Sequence, residues 1–371
     1  MARSKVAVLK VKPAGVLQDI ERLCQLAGLA DCLQTNVPTL LKDEISWHYP
    51  FPAANTTPWQ LEGTILALKR AGFHDLSCVQ SESAITDAKK AEDLNNYTTL
   101  FKKHDVTALF NFKSEDMAWV EYRPRAQLRV LHRVFPEGIL IPDYFFGKNV
   151  VHLPTMKCHR YTTTSGAMYS AFNGLLSAKR HYAHQWIHQA LVDVLAIQRE
   201  VHAGIFAVMD GTTAGNGPGP RTMIPTVKDY MLASSDSVAV DAVAAKMMGF
   251  DPMSIEYIRC AHDDGLGVGN PNEITLLGDD ISAEAWGFSV GQTRAQQLGQ
   301  VLWRGKLGQL NRMLSRTPLV KGINFGSELY YDYYRWPRKD RQLFERWKER
   351  TPWGELFAAY ERGESERLTA P

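Results

Sequence analysis

HAGIFAVMDGTTAGNGPGPRT, residues 202–222, joins an apolar run to a stretch that holds four glycines and two prolines within residues 211–220. The run Gly204–Asp210 is short, continuous and apolar, which is the pattern of a strand buried on both faces. Asp210 is expected to end this strand. The glycines behind it then form a loop whose backbone N–H groups can come close to a ligand. The alternative is a connector turn with Asp210 as its cap. The loop is not a Walker loop, because no Gly-Lys-Ser/Thr follows, and it lacks G-x-G-x-x-G spacing.

Outward from this strand, strand-like and helix-like segments alternate. Lys5–Val11, Leu76–Ser81, Thr107–Phe112, Val150–Thr155 and Ile274–Leu277 read as strands. VLQDIERLCQLAGLADCL carries apolar residues at helical spacing. Thr57 can cap a helix that has Pro58 in its first turn and Gly72 at its end. A helix over SVAVDAVAAKMMG has Asp236 or Ser235 as its cap and Gly249 as its stop. Trp119–Phe135 reads as an inserted hairpin or edge region. The fold class is therefore α/β, a mostly parallel or mixed sheet with helices on both faces, plus a helical C-terminal extension. The domain division expected is 1–288 for the α/β domain and 289–371 for the extension.

Net charge is +2 over 371 residues, so no global charge calls for nucleic acid. The basic excess sits in the tail, where Ser289 onward holds 15 Lys and Arg against 9 Asp and Glu. The five cysteines form no C-x-x-C pair, so no iron–sulfur cluster is expected. They read as reduced thiols. No secretory signal or membrane-spanning run is seen, and the reading is cytoplasmic. An oligomer is left open.

Candidate chemistry gathers in four further places. LPTMKCHRYTTTSG places Lys157 and His159 two apart after a strand, a cation beside a titratable base, followed by the hydroxyls of Thr162, Thr163, Thr164 and Ser165. Asp241 lies among small apolar residues on a helix, so a buried carboxylate there needs a partner. His181, His184 and His188 share a helical face but lack the acidic residue of a zinc-protease motif. AHDDGLGVGNP, residues 261–271, is either a second site loop or a helix end with a glycine stop. No G-x-S-x-G elbow is present.

In this order the segments resemble the bacterial and archaeal family catalogued as domain of unknown function 362. The matching residues are Lys157 and His159, then Asp210 with Gly215, Asn216, Gly217 and Pro218, then Asp241, Gly249, Asp251 and Pro252. LLKDEISW and ANTTPWQL look like its Lys-Pro-Asn and Thr-x-Pro elements. The likeness runs from about Leu40 to Ile281. The chain departs from the family at Tyr169 and Ser170, where Lys-Asn is frequent, and it has no cysteine-rich iron–sulfur segment. The resemblance implies that Asp210, Asp241 and His159 are site residues.

The reading is an enzyme acting on a small anionic molecule. Its cleft lies between the Asp210 loop and the Lys157/His159 segment. His159, Lys157 and Asp210 are the catalytic candidates. Gly215, Asn216, Gly217 and Thr163 are the substrate-binding candidates. Asp210 and Asp241 are candidate ligands of a divalent metal. The alternatives are a non-catalytic metal- or cofactor-binding accessory protein and a redox partner. The reading leaves out nucleic acid and takes a small molecule as the ligand.

Overall fold

The apolar runs become the strands of one ten-stranded mixed sheet in a computed structural model, which describes residues 4–81, 86–291 and 329–370. The strands are β1 (Ser4–Lys10), β2 (Thr39–Asp43), β3 (Leu76–Gln80), β4 (Thr107–Phe110), β5 (Trp119–Tyr122), β6 (Ile139–Pro142), β7 (Asn149–Leu153), β8 (Thr155–His159), β9 (Thr163–Thr164), β10 (Gly204–Asn216), β11 (Ile224–Ser234) and β12 (Ile274–Gly278). The main path runs β12-β1-β11-β10-β7-β2-β3-β4, with β8 beside β10 and β9 beside β8. Neighbours from β10 through β7, β2 and β3 to β4 are parallel. β11 is antiparallel to both β1 and β10. β5 and β6 form a separate two-stranded sheet in the inserted region.

Helices cover both faces, as the alternating pattern requires. On one face Ala167–Leu175, Ile187–Val201, Ser237–Met248 and Glu256–Asp263 pack over Ala207, Met209 and Leu232. On the other, Val16–Leu26, Pro58–Arg70 and Tyr97–Lys103 pack over Phe206, Val208 and Met231. The caps are those expected from sequence. Thr57 and Gln60 form a capping box, Asp236 accepts from Val238 N and Ala239 N, and Gly249 ends its helix at φ 98°.

β10 corrects one expectation. It does not end at Asp210 but runs on to Asn216, paired with β11 across a bulge between Gly211 and Thr213. The glycines serve packing within this long hairpin. A Cβ on Gly211 would lie 2.4 Å from Met156 Sδ, and one on Gly219 would lie 1.9 Å from the Cys158 carbonyl oxygen.

The tail is described from Leu329, and the helices expected within 292–328 lie outside the described residues. Arg341–Arg350 and Pro352–Arg362 are helices. Their Phe344, Trp347, Trp353 and Phe357 are buried in the same apolar cluster as the Val16–Leu26 and Pro58–Arg70 helices. No helix among the described residues is long and apolar enough to cross a membrane.

Candidate functional site

Parallel strands present their carboxyl ends on one side of the sheet, where open α/β folds hold their ligands. β2 ends there in Asp43, with Glu44 next, and β8 runs out there through Lys157 and His159. This side is unusually polar for a buried region. Glu44, Asn55, Thr155, Lys157, His159, Ser165 and Asp210 all lie at 4% exposure or less.

Asp210 points to the helix layer of Pro58–Arg70. It accepts a hydrogen bond from the hydroxyl of Thr57, the N-cap of that helix, and another from Thr212 N at 2.6 Å. Burial raises its pKa against the lowering effect of these bonds. Gln60 reinforces the junction, its Nε2 donating to Pro154 O at 2.9 Å and Val208 O at 2.7 Å. Asp210 therefore ties the start of a helix to the middle of β10.

Lys157 is buried outright and its ammonium is engaged on all sides. It meets Glu44 Oε1 at 2.6 Å, Thr155 Oγ1 at 2.6 Å and Ala54 O at 3.2 Å. An ammonium has three donors, so none remains for a substrate. Glu44 in turn accepts from Thr155 N at 3.0 Å and Ser165 Oγ at 3.2 Å. Burial lowers the Lys157 pKa and Glu44 raises it. Lys157, a catalytic candidate from the sequence, thus has no donor left for a bound anion.

His159 lies at the outer end of β8. Thr162 Oγ1 is 2.7 Å from its Nδ1 and 2.9 Å from Thr164 O. Nδ1 also accepts from the Tyr161 backbone N–H at 3.4 Å, and its contact with Thr162 can run in either direction with the ring's tautomer. Burial, with help from Arg160, His184, Lys157 and His188, holds the imidazole pKa well below its ordinary value, so the ring is neutral. Thr163, next in the hairpin, takes φ 68°, a strained conformation for a β-branched residue. Its backbone pairs with His159.

Cationic and aromatic side chains surround His159. Its ring centroid is 4.5 Å from that of Tyr169 and 5.8 Å from that of Tyr161. Arg160 stacks 5.1 Å from the Tyr161 centroid, and its Nε is shielded from solvent with no hydrogen-bond partner among the described residues. Arg221 donates from Nε to Ser46 O at 2.8 Å. Burial lowers Arg221 to about 10, with Arg160 adding to the effect. His184 is pushed down to about 4 by burial, with Arg180 and Arg160 contributing. Among the described residues neither Arg160 nor Arg221 forms an ion pair with a carboxylate.

Asp241 sits on the opposite face of the sheet from Asp210. It accepts from Ala167 N at 2.7 Å and Met168 N at 3.2 Å, and so caps the Ala167–Leu175 helix. Burial raises it to about 7. The two aspartates expected to share a metal are thus separated by the sheet, and each is engaged by protein donors. Among the described residues no group of three or more His, Cys, Asp or Glu is arranged to hold a metal ion. A divalent metal does not fit these donors. Gly215 pairs with Lys157 across β10 and β8, while Asn216 Oδ1 accepts from Ser289 N at 3.0 Å. The Gly-rich stretch pairs directly with β8, Asp210 opposite Thr155 and Gly215 opposite Lys157.

A small internal cavity lies deeper, between Lys42, His152, Gly174, Gln198 and His202, and neither Lys157, His159 nor Asp210 lines it. Sequence reasoning missed Glu44, Arg160, Tyr169 and Arg221. Arg160 was adjacent to a named histidine, and Tyr169 stood where the family pattern was broken. Glu44 and Arg221 lie inside stretches already singled out, but their roles depend on partners over a hundred positions away.

No curated protein and no solved structure matches the chain. A family model described as Domain of unknown function (DUF362) matches residues 39–246, a stretch that takes in β2, the Lys157–His159 strand, β10 and the Asp241 helix. That match spans more than half of the chain, which therefore belongs to the DUF362 family.

Proposed function

We propose that this protein is an enzyme that binds a small anionic molecule over the outer end of β8. Arg160 and Arg221 neutralise the ligand's charge, and His159 serves as acid–base group through Nε2. The observation that carries this reading is Arg160. Its Nε is shielded and has no hydrogen-bond partner among the described residues, and it lies near a neutral imidazole and near Arg221, which forms no ion pair among those residues. A guanidinium in such a place is suited to a carboxylate or phosphate, which it can bind in bidentate fashion. A neutral histidine whose second nitrogen is hydrogen-bonded is oriented for proton transfer.

The test is calorimetric titration of the full chain with inorganic phosphate and with citrate, together with NMR titration of the His159 imidazole. The expected result is binding that weakens at high salt and falls at least about tenfold in Arg160→Ala. A bound anion also offsets the arginine field, so the His159 pKa moves upward. Absence of binding by the wild-type chain, or a His159 titration indifferent to the anion, would overturn the reading.

A further inference from the structure

We infer that the helical segment Leu329–Asp340, which lies beyond the stretch matched by the family model, completes this anion site, with Tyr331 as the positioning residue for Arg221. The inference rests on the reading of the site given above. The Arg221 guanidinium lies 5.3 Å from the Tyr331 ring centroid, while its Nε is held by Ser46 O. One side of the guanidinium is thus fixed by a backbone carbonyl and another by an aromatic ring. A cation held this way keeps its remaining N–H groups for a third partner.

The rest of the segment is fastened to the loop that carries Ser46. Asp332 Oδ1 accepts from Trp47 Nε1 at 2.7 Å, and its Oδ2 lies 3.4 Å from His48 Nε2. Trp336 stacks on Tyr49 with ring centroids 4.1 Å apart and planes at 8°, and meets Trp47 edge-on at 5.2 Å. The same loop continues to Ala54, whose carbonyl accepts from Lys157. Tyr331 and Asp332 therefore act on the site through Arg221 and the Ser46–Ala54 loop.

The test compares phosphate binding by full-length wild type, Tyr331→Ala, Tyr331→Leu, Tyr331→Phe, Arg221→Ala and the Tyr331→Ala/Arg221→Ala double variant, with thermal melts on each. Loss of the ring should weaken phosphate binding about tenfold in the Ala and Leu variants. Phe keeps the ring face and should restore affinity to within about twofold of wild type. The double variant should bind no more weakly than Arg221→Ala alone. Leu preserves apolar volume, so it separates the ring's effect from a packing defect if the Ala variant melts early. Wild-type affinity in Tyr331→Leu, or additive losses in the double variant, would overturn the inference. If Arg160→Ala abolishes binding while Tyr331→Leu does not, the site stands and the C-terminal segment has no part in it. If the wild type binds no phosphate, the site and this inference fall together.

Discussion

Lys157 is a cation inside the protein whose charge is answered by Glu44, and a single substitution there leaves a buried carboxylate without its partner. Removing one member of a buried pair is far more costly than removing both. Lys157→Met is therefore expected to destabilise the protein by about 3–5 kcal/mol, and Lys157→Met with Glu44→Leu to recover part of that loss. Urea unfolding of the two variants checks it, and a Lys157→Met variant as stable as wild type would refute the buried-pair account. Asp241 makes a second residue-scale prediction. Its folded pKa, raised to about 7 by burial, lies above the ordinary carboxyl value of 3.8. The folded state then binds a proton that the unfolded chain releases, so this group's contribution to stability falls as pH rises from about 4 through 7. Asp241→Asn cannot titrate. Wild type should lose stability relative to this variant between pH 4 and pH 7.5, as measured by urea unfolding at both pH values. A constant difference would show that Asp241 remains ionised throughout.

At the scale of elements, the Gly-rich hairpin was legible as a special place but not as a strand. Glycine and proline punctuate a sequence, and nothing local distinguishes a loop from a strand squeezed between close neighbours. Here the distinction lies in Met156, Cys158 and Met223, which press on Gly211, Gly215 and Gly219 from other elements. Gly219→Ala would drive a Cβ into the Cys158 carbonyl, which is backbone and cannot swing aside. The expected cost is about 1–3 kcal/mol in thermal or urea unfolding. A Gly219→Ala variant as stable as wild type would mean that the close approach is unimportant. The helices and their caps were legible because their signals are local. The capping box at Thr57 and Gln60 and the glycine stop at Gly249 need only neighbouring residues. Asp210, in the middle of β10, and Asp241, inside the Ser237–Met248 helix, face different sides of one sheet and so do not pair. Sequence order does not encode which face each element covers.

At the scale of the whole molecule, the C-terminal helices close one layer of the sandwich rather than hang from it. Phe344, Trp347, Trp353 and Phe357 are buried against that layer. What could not be read from the tail is its polar anchor. Glu62, in the middle of the Pro58–Arg70 helix, accepts from Tyr360 Oη at 2.6 Å and lies 2.9 Å from His104 Nε2 and 3.0 Å from Lys103 Nζ. Burial pushes this carboxyl up, but the bonds from His104, Tyr360 and Lys103 outweigh it and hold the pKa at about 2. The folded value thus lies below the ordinary 4.5. The stability that follows is present above about pH 4.5 and is lost as pH falls toward 2, a contribution of about 3 kcal/mol at neutral pH. Glu62→Gln lacks the titrating group, so its deficit relative to wild type should be largest near pH 7 and shrink steadily between pH 4.5 and 2.5. Tyr360→Phe removes one donor that holds the carboxylate ionised. Its loss of stability in acid should therefore be smaller than in wild type and be complete at a higher pH. Thermal melts of the three proteins across this range measure both effects. Parallel curves for wild type and Glu62→Gln would mean that the Glu62 cluster contributes no electrostatic link between the tail and the α/β core.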